Sequence, residues 1–185
     1  MSDVPTTWSM LGPRLSRRDA IALGEGAIHL PRIAGTQRLS RPPHATLEEL
    51  EASAAAPYRR GGAALLEMLP LLSTHSASAP ETHLRLALAE WGAPEPELDF
   101  DVYDSAGRFL GCSEIAFPEF RVLHEYEGDH HRVRRKQWHR DVQKLRDYVR
   151  ADWDPIRVTS SLLYREPHKL RDQTFEALIK GGWSP

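Results

Sequence analysis

Between residues 98 and 128 the hydrophobic pattern switches to a period of 2 in three consecutive runs, LDFDVYD, RFLGCSEIAF and FRVLHEYEG, parted only by SAG and PE. Runs joined by links this short pair as antiparallel neighbours, so a three-strand meander is predicted. Gly111, inside the second run, marks an expected irregularity in it. Helical spacing returns from about Arg134 to Tyr148, with Trp138, Val142, Leu145 and Val149 on one stripe. The β-branched run DPIRVTS follows, and EPHKLRDQTFEALIK reads as a closing helix. A strand reached through a helix can rejoin the sheet by a crossover. The fold class expected is therefore α/β, with a mixed central sheet flanked by helices.

The chain ahead of the meander reads differently. Ser16 is a predicted N-cap for RRDAIALGEGAIHL, and Thr46 with Glu49 has the spacing of a capping box for ATLEELEASAAA. Pro70 should end or kink the apolar segment GGAALLEMLPLLS, and PETHLRLALAEW forms a further helix stopped by Gly92. Composition changes near STHSASAP, residues 73–80. Residues 1–75 are accordingly expected to be a small helical region packing on a core formed by residues 76–185, without a cluster of titratable groups of its own.

The charge balance narrows the function classes. Twenty-four Lys and Arg against 26 Asp and Glu leave a formal charge of -2, so no global field steers the chain to a polyanion or a membrane. A single cysteine, Cys112, excludes an internal disulfide and a multi-thiolate zinc site, and reads as a small packed hydrophobe. No run approaches 18 apolar residues and the first ten lack a basic start with an apolar core. A cytoplasmic location with no membrane partner is the expectation.

Acidic residues gather where the meander ends. On a strand, Glu125 and Glu127 project from one face while His124 and Tyr126 project from the other. Pairing about the Pro118 and Glu119 turn brings Glu114 beside Glu125. Carboxylates so placed repel unless a cation or proton intervenes, and hard oxygens suit Mg²⁺ or Mn²⁺, with Glu114 and Glu125 as the candidate metal ligands. Directly after them, Arg132, Arg134, Arg135, Lys136 and Arg140 form the densest cationic run in the chain, suited to contacting a phosphate backbone of DNA. A solvated helix face would look the same. His131 can orient or protonate in phosphoryl chemistry, or be structural.

From SAPETHLRLALAEWGAPEPEL through EYEGDHH, the following W and RD, to DWDPIRVTSSLL, the sequence resembles the very-short-patch-repair-like branch of the PD-(D/E)XK, or restriction-endonuclease-like, superfamily. More closely, it is similar to the C-terminal domain of actinobacterial proteins related to type IV abortive-infection antitoxins, over roughly residues 76–165. The resemblance implies a restriction-endonuclease-like core in 76–185. It gives Glu81 the place of an acidic residue on the first core helix, Glu114 that of a metal-binding aspartate, and Glu125 that of the motif carboxylate. Glu127 stands where the motif has lysine and this branch carries an acid; His131 and Asp141 match the histidine after the glycine turn and an aspartate on the next helix. Lys144 stands where the family often has arginine. Glutamate at 114 is one methylene longer than aspartate, an offset of about 1.5 Å that can slow chemistry on the order of 100-fold. Such relatives begin with a winged-helix module, whereas this sequence opens at a segment resembling their helical middle region.

Two functions follow as expectations. One is a Mg²⁺-dependent DNA endonuclease or nickase-like domain, with Glu81, Glu114, Glu125, Glu127, His131 and Asp141 as its catalytic set. The other is a catalytically weak or inactive nuclease-like fold acting as an antitoxin-type regulatory or protein-binding module, with a partner protein. A metal-free structural domain with a solvated acidic cleft would fit the same residues.

Overall fold

The computed structural model describes residues 3–128 and 135–184, residues 135–141 as backbone only. His131, Arg132 and Arg134 lie outside the described residues, as do the side chains of Arg135, Lys136, Arg140 and Asp141. The chain divides into two compact units, Met1–Leu86 and Ala87–Pro185.

The first unit is helical: α1 (Val4–Leu11), α2 (Arg17–Ile28), α3 (Leu47–Ala54), α4 (Gly62–Met68) and the start of α5 (Ala79–Glu90). The sequence signs act as expected at three places. The Ser16 hydroxyl accepts from the Asp19 N–H at the start of α2. Thr46 and Glu49 form a reciprocal capping box on α3. At Pro70 the helix gives way to a 3-10 turn, Leu69–Leu71. Trp8 anchors the core, packed with Ala27, Ile28, Leu50, Leu65 and Leu69, and its indole N–H donates to the Ala20 carbonyl at 2.9 Å.

The second unit is α/β. Its elements are β1 (Glu97–Tyr103), β2 (Phe109–Phe117), β3 (Val122–Glu127), α6 (Arg135–Arg150), β4 (Asp154–Thr159), α7 (Ser160–Tyr164) and α8 (Pro167–Lys180). The strands lie in the order β1-β2-β3-β4, the first three antiparallel and β4 parallel to β3 after the α6 crossover. The irregularity falls at Gly111: Val102 pairs with Gly111 but Tyr103 with Phe109, leaving Leu110 as the extra residue of a bulge. One sheet face packs Val102, Ala116 and Leu123 with Tyr148 and Trp153. On the other, His124 meets α8 through Thr174 Oγ1 at 2.8 Å from Nε2.

The stripe expected on α6 is rotated by one position. Val149 is exposed and Tyr148 is fully buried, with Lys144 one turn before it also turned inward. An amphipathic stripe read from apolar residues alone misses this. A lysine and a tyrosine can face a sheet when its polar groups receive them.

Candidate functional site

The last rung of the β2–β3 ladder is Ile115 with His124. One residue on, the same register sets Glu114 across from Glu125, and there the two strands part. At this fork the Tyr126 N–H donates to Glu114 Oε2 at 2.7 Å, so the carboxylate closes the ladder where the backbones separate. Glu125 pairs in turn with Arg157 on β4. On β1, Asp99 occupies the position between the Leu98–Ile115 and Phe100–Ser113 rungs. Asp99, Glu114, Glu125 and Arg157 thus line up across the four strands. Alternation faces Glu125 away from His124, as expected from the sequence.

The cation such a row needs comes from the protein. Lys144 Nζ donates to Glu125 Oε2 at 2.7 Å and to the Cys112 carbonyl at 2.9 Å. Both side chains are largely buried, 28% and 13% exposed, so the pair acts where water screens it little. Tyr148 lies beneath, its ring centroid 5.5 Å from Lys144 Nζ. Burial first, then the nearby carboxylates, Glu125 foremost, push its phenol well above the usual range. Gly111 leaves room for this packing, since a Cβ there would sit 2.7 Å from the Tyr148 hydroxyl and 3.2 Å from the Lys144 stem.

Glu127 is held by Arg157. Glu81 belongs to the first unit, where Oε2 accepts the Ala77 N–H and Oε1 the Ser78 hydroxyl, each at 2.8 Å, at the start of α5. Asp141 lies on α6 and its side chain is outside the described residues.

Cys112 is not simply packed. Its thiol donates to Asp99 Oδ1 at 2.9 Å, and Asp99 itself has φ 50. In the first unit Glu25, fully inaccessible, accepts from the Ser73 N–H at 2.7 Å and, beyond residue 75, from Thr82 Oγ1 and from Arg85 Nη2 at 2.5 Å. Lys144, Tyr148, Asp99 and Asp101 escaped the sequence reading as site residues. Lys144 and Tyr148 at i and i+4 between a charged helix and an acidic strand end were the available sign.

Among the described residues no three His, Cys, Asp or Glu side chains gather as a metal-binding set. Mg²⁺ takes only one or two carboxylates and keeps several waters, so the Glu114 and Glu125 pair has the donor chemistry for it. Among the described residues no helix is long and apolar enough to cross a membrane.

No family model and no solved structure matches the chain. Two relatives from Mycobacterium tuberculosis do, the uncharacterized proteins MT2308 of strain CDC 1551 and Rv2248 of strain H37Rv. Each is 29% identical over 119 residues, 60% of this chain and 41% of the relative. The chain therefore spans about two-fifths of the length of these relatives.

Proposed function

We propose that the second unit is a nuclease-like domain of the PD-(D/E)XK kind that hydrolyses DNA phosphodiester bonds with Mg²⁺ or Mn²⁺ in the cytoplasm. The observation that carries this reading is the fork, where Glu114 and Glu125 stand across from one another beside the Lys144 ammonium. Glu114 and Glu125 would hold the ion. Bound there, it would activate water and offset charge developing at phosphorus. Lys144, which donates to Glu125 Oε2, would be placed to offer its ammonium to a phosphate oxygen. The Tyr126 N–H fixes the Glu114 carboxylate, and Arg157 holds Glu127. Arg132, Arg134, Arg135, Lys136 and Arg140 would contact the DNA backbone, with His131 and Asp141 supporting the pocket. The test is plasmid nicking with Mg²⁺ and with Mn²⁺. Wild type should nick, Glu125→Ala should not, and Glu81→Gln should retain activity because Glu81 caps α5. Nicking that survives Glu125→Ala, or an inert wild type, refutes the reading.

The Lys144–Glu125 pair itself favours a second reading, because a carboxylate already neutralised by a protein cation has less need of a metal. The domain would then be a catalytically weak or inactive nuclease-like fold used as an antitoxin-type regulatory or protein-binding module. A wild type that neither nicks DNA nor responds to Mn²⁺ would favour it.

A further inference from the structure

The first unit carries an aromatic side chain in an unusual place. Ala56–Arg59 form a turn closed by the Arg59 N–H to the Ala56 carbonyl at 3.1 Å, with Pro57 second and Tyr58 third at φ 63. A positive φ at the third position of such a turn is the place of glycine or asparagine; a bulky aromatic there is strained. Nothing in the fold repays that strain through packing, since Tyr58 is 105% exposed. Strain of this kind clusters at functional sites, which makes the displayed ring a candidate for one.

The surroundings indicate the chemistry of that use. The turn leads into Gly61, at φ 75, where a Cβ would meet Pro13 Cβ at 2.6 Å, so the segment around residue 61 rests against the segment around residue 13. Residues 4–18 and 52–66 hold Arg14, Arg17, Arg18, Arg59 and Arg60, with acids only at their borders, Asp3, Asp19, Glu51 and Glu67. Arg59 is engaged, its Nε donating to the Ser53 carbonyl at 3.2 Å and its charge acting on Asp3. Arg14, Arg17 and Arg60 are exposed and form no ion pair among the described residues. In a chain of near-neutral overall charge, an arginine-rich surface bordered by Asp3 and Asp19, with more cations than acids and one fully displayed ring, is a local site for a polyanion.

We propose that this surface, Tyr58 with Arg60, Arg14 and Arg17, binds single-stranded nucleic acid. Arginines track the phosphates, and Tyr58 offers its face to an unstacked base, which a duplex does not supply. The proposal does not rest on the metal site, and failure of nuclease activity leaves it standing.

The experiment measures anisotropy of fluorescein-labelled oligothymidylate, alone and annealed to oligodeoxyadenylate, on the full chain and three variants. Tyr58→Gly decides the matter, because it relaxes the turn while deleting the ring. Its melting temperature should be equal or higher, while its Kd for the single strand rises on the order of tenfold. Tyr58→Phe should bind like wild type. Arg60→Ala should weaken binding and reduce the slope of log K against log salt by about 0.7. Unchanged single-strand affinity in Tyr58→Gly, a preference for the duplex that the variant does not alter, or binding to phosphatidylserine vesicles but not to the oligonucleotide would each overturn the proposal.

Discussion

Lys144 Nζ stands 2.7 Å from Glu125 Oε2 and 2.9 Å from the Cys112 carbonyl, so one ammonium fastens α6 to both β2 and β3 where those strands part. Carboxylates at a strand end were expected to repel unless a cation or proton intervenes. Lys144 meets that need from within the protein, and under the proposed function a bound ion would have to displace or share it.

Removing the ammonium should therefore expose the repulsion. Lys144→Met leaves a carboxylate only 13% exposed without its charge partner and should lower stability by about 1–3 kcal/mol, less than for a fully buried pair. In urea melts the loss should shrink when Glu125→Gln is added, because the double variant buries no lone charge. Losses that simply add would show that the pair is not coupled.

Gly111 is predicted to be irreplaceable for steric reasons. An alanine methyl would collide with the Tyr148 hydroxyl at 2.7 Å, forcing Tyr148 and the Lys144 stem off the sheet. Gly111→Ala should cost about 1–3 kcal/mol and weaken any metal response along with it. A variant as stable as wild type would mean that α6 moves freely over the bulge.

His124 sets a pH dependence. Fully buried between Phe117 and Thr174, its imidazole is pushed down by burial to about 3. In the unfolded chain it titrates near 6.5. Between those values the unfolded state binds the extra proton, so stability is complete above about pH 6.5 and falls as pH drops toward 3, by at most ~1.4 kcal/mol per unit. Denaturant midpoints measured across that window should slope less in His124→Gln than in wild type. Equal slopes would assign the acid sensitivity to carboxylates.

Much of the second unit was legible because its determinants are local. Period-2 runs with two- and three-residue links leave few alternatives to a meander, and the bulge followed from a lone glycine within a strand pattern. The Glu114 and Glu125 juxtaposition was legible for the same reason, since hairpin register fixes it. Lys144 and Tyr148 were not, because α6 turns by one position to serve polar groups that a hydrophobic stripe does not count. Glu25 was hidden too: a buried carboxylate in the first unit depends on Ser73, Thr82 and Arg85, 48 to 60 residues away. Tyr58 broke a turn rule, and that kind of departure becomes visible only once φ is known.

The buried Glu25 cluster yields its own expectation. Glu25→Gln keeps the shape but removes the charge that receives Arg85, leaving a largely buried guanidinium beside a neutral amide. A loss of about 3–5 kcal/mol is expected. Arg85→Met should cost a similar amount, and a variant within about 0.5 kcal/mol of wild type would show that the pair contributes little.

The measurement that bears most directly on the proposed metal-dependent site is the melting temperature of wild type and Glu125→Ala with and without Mn²⁺. At a hundredfold excess over Kd, binding to the native state alone adds about 2.7 kcal/mol, which for a chain of this length is a shift of roughly 5–10 °C. Wild type should show that shift and Glu125→Ala should show none. A wild-type melting temperature unmoved by millimolar-scale Mn²⁺, or an equal shift in both proteins, would contradict a metal held at Glu114 and Glu125.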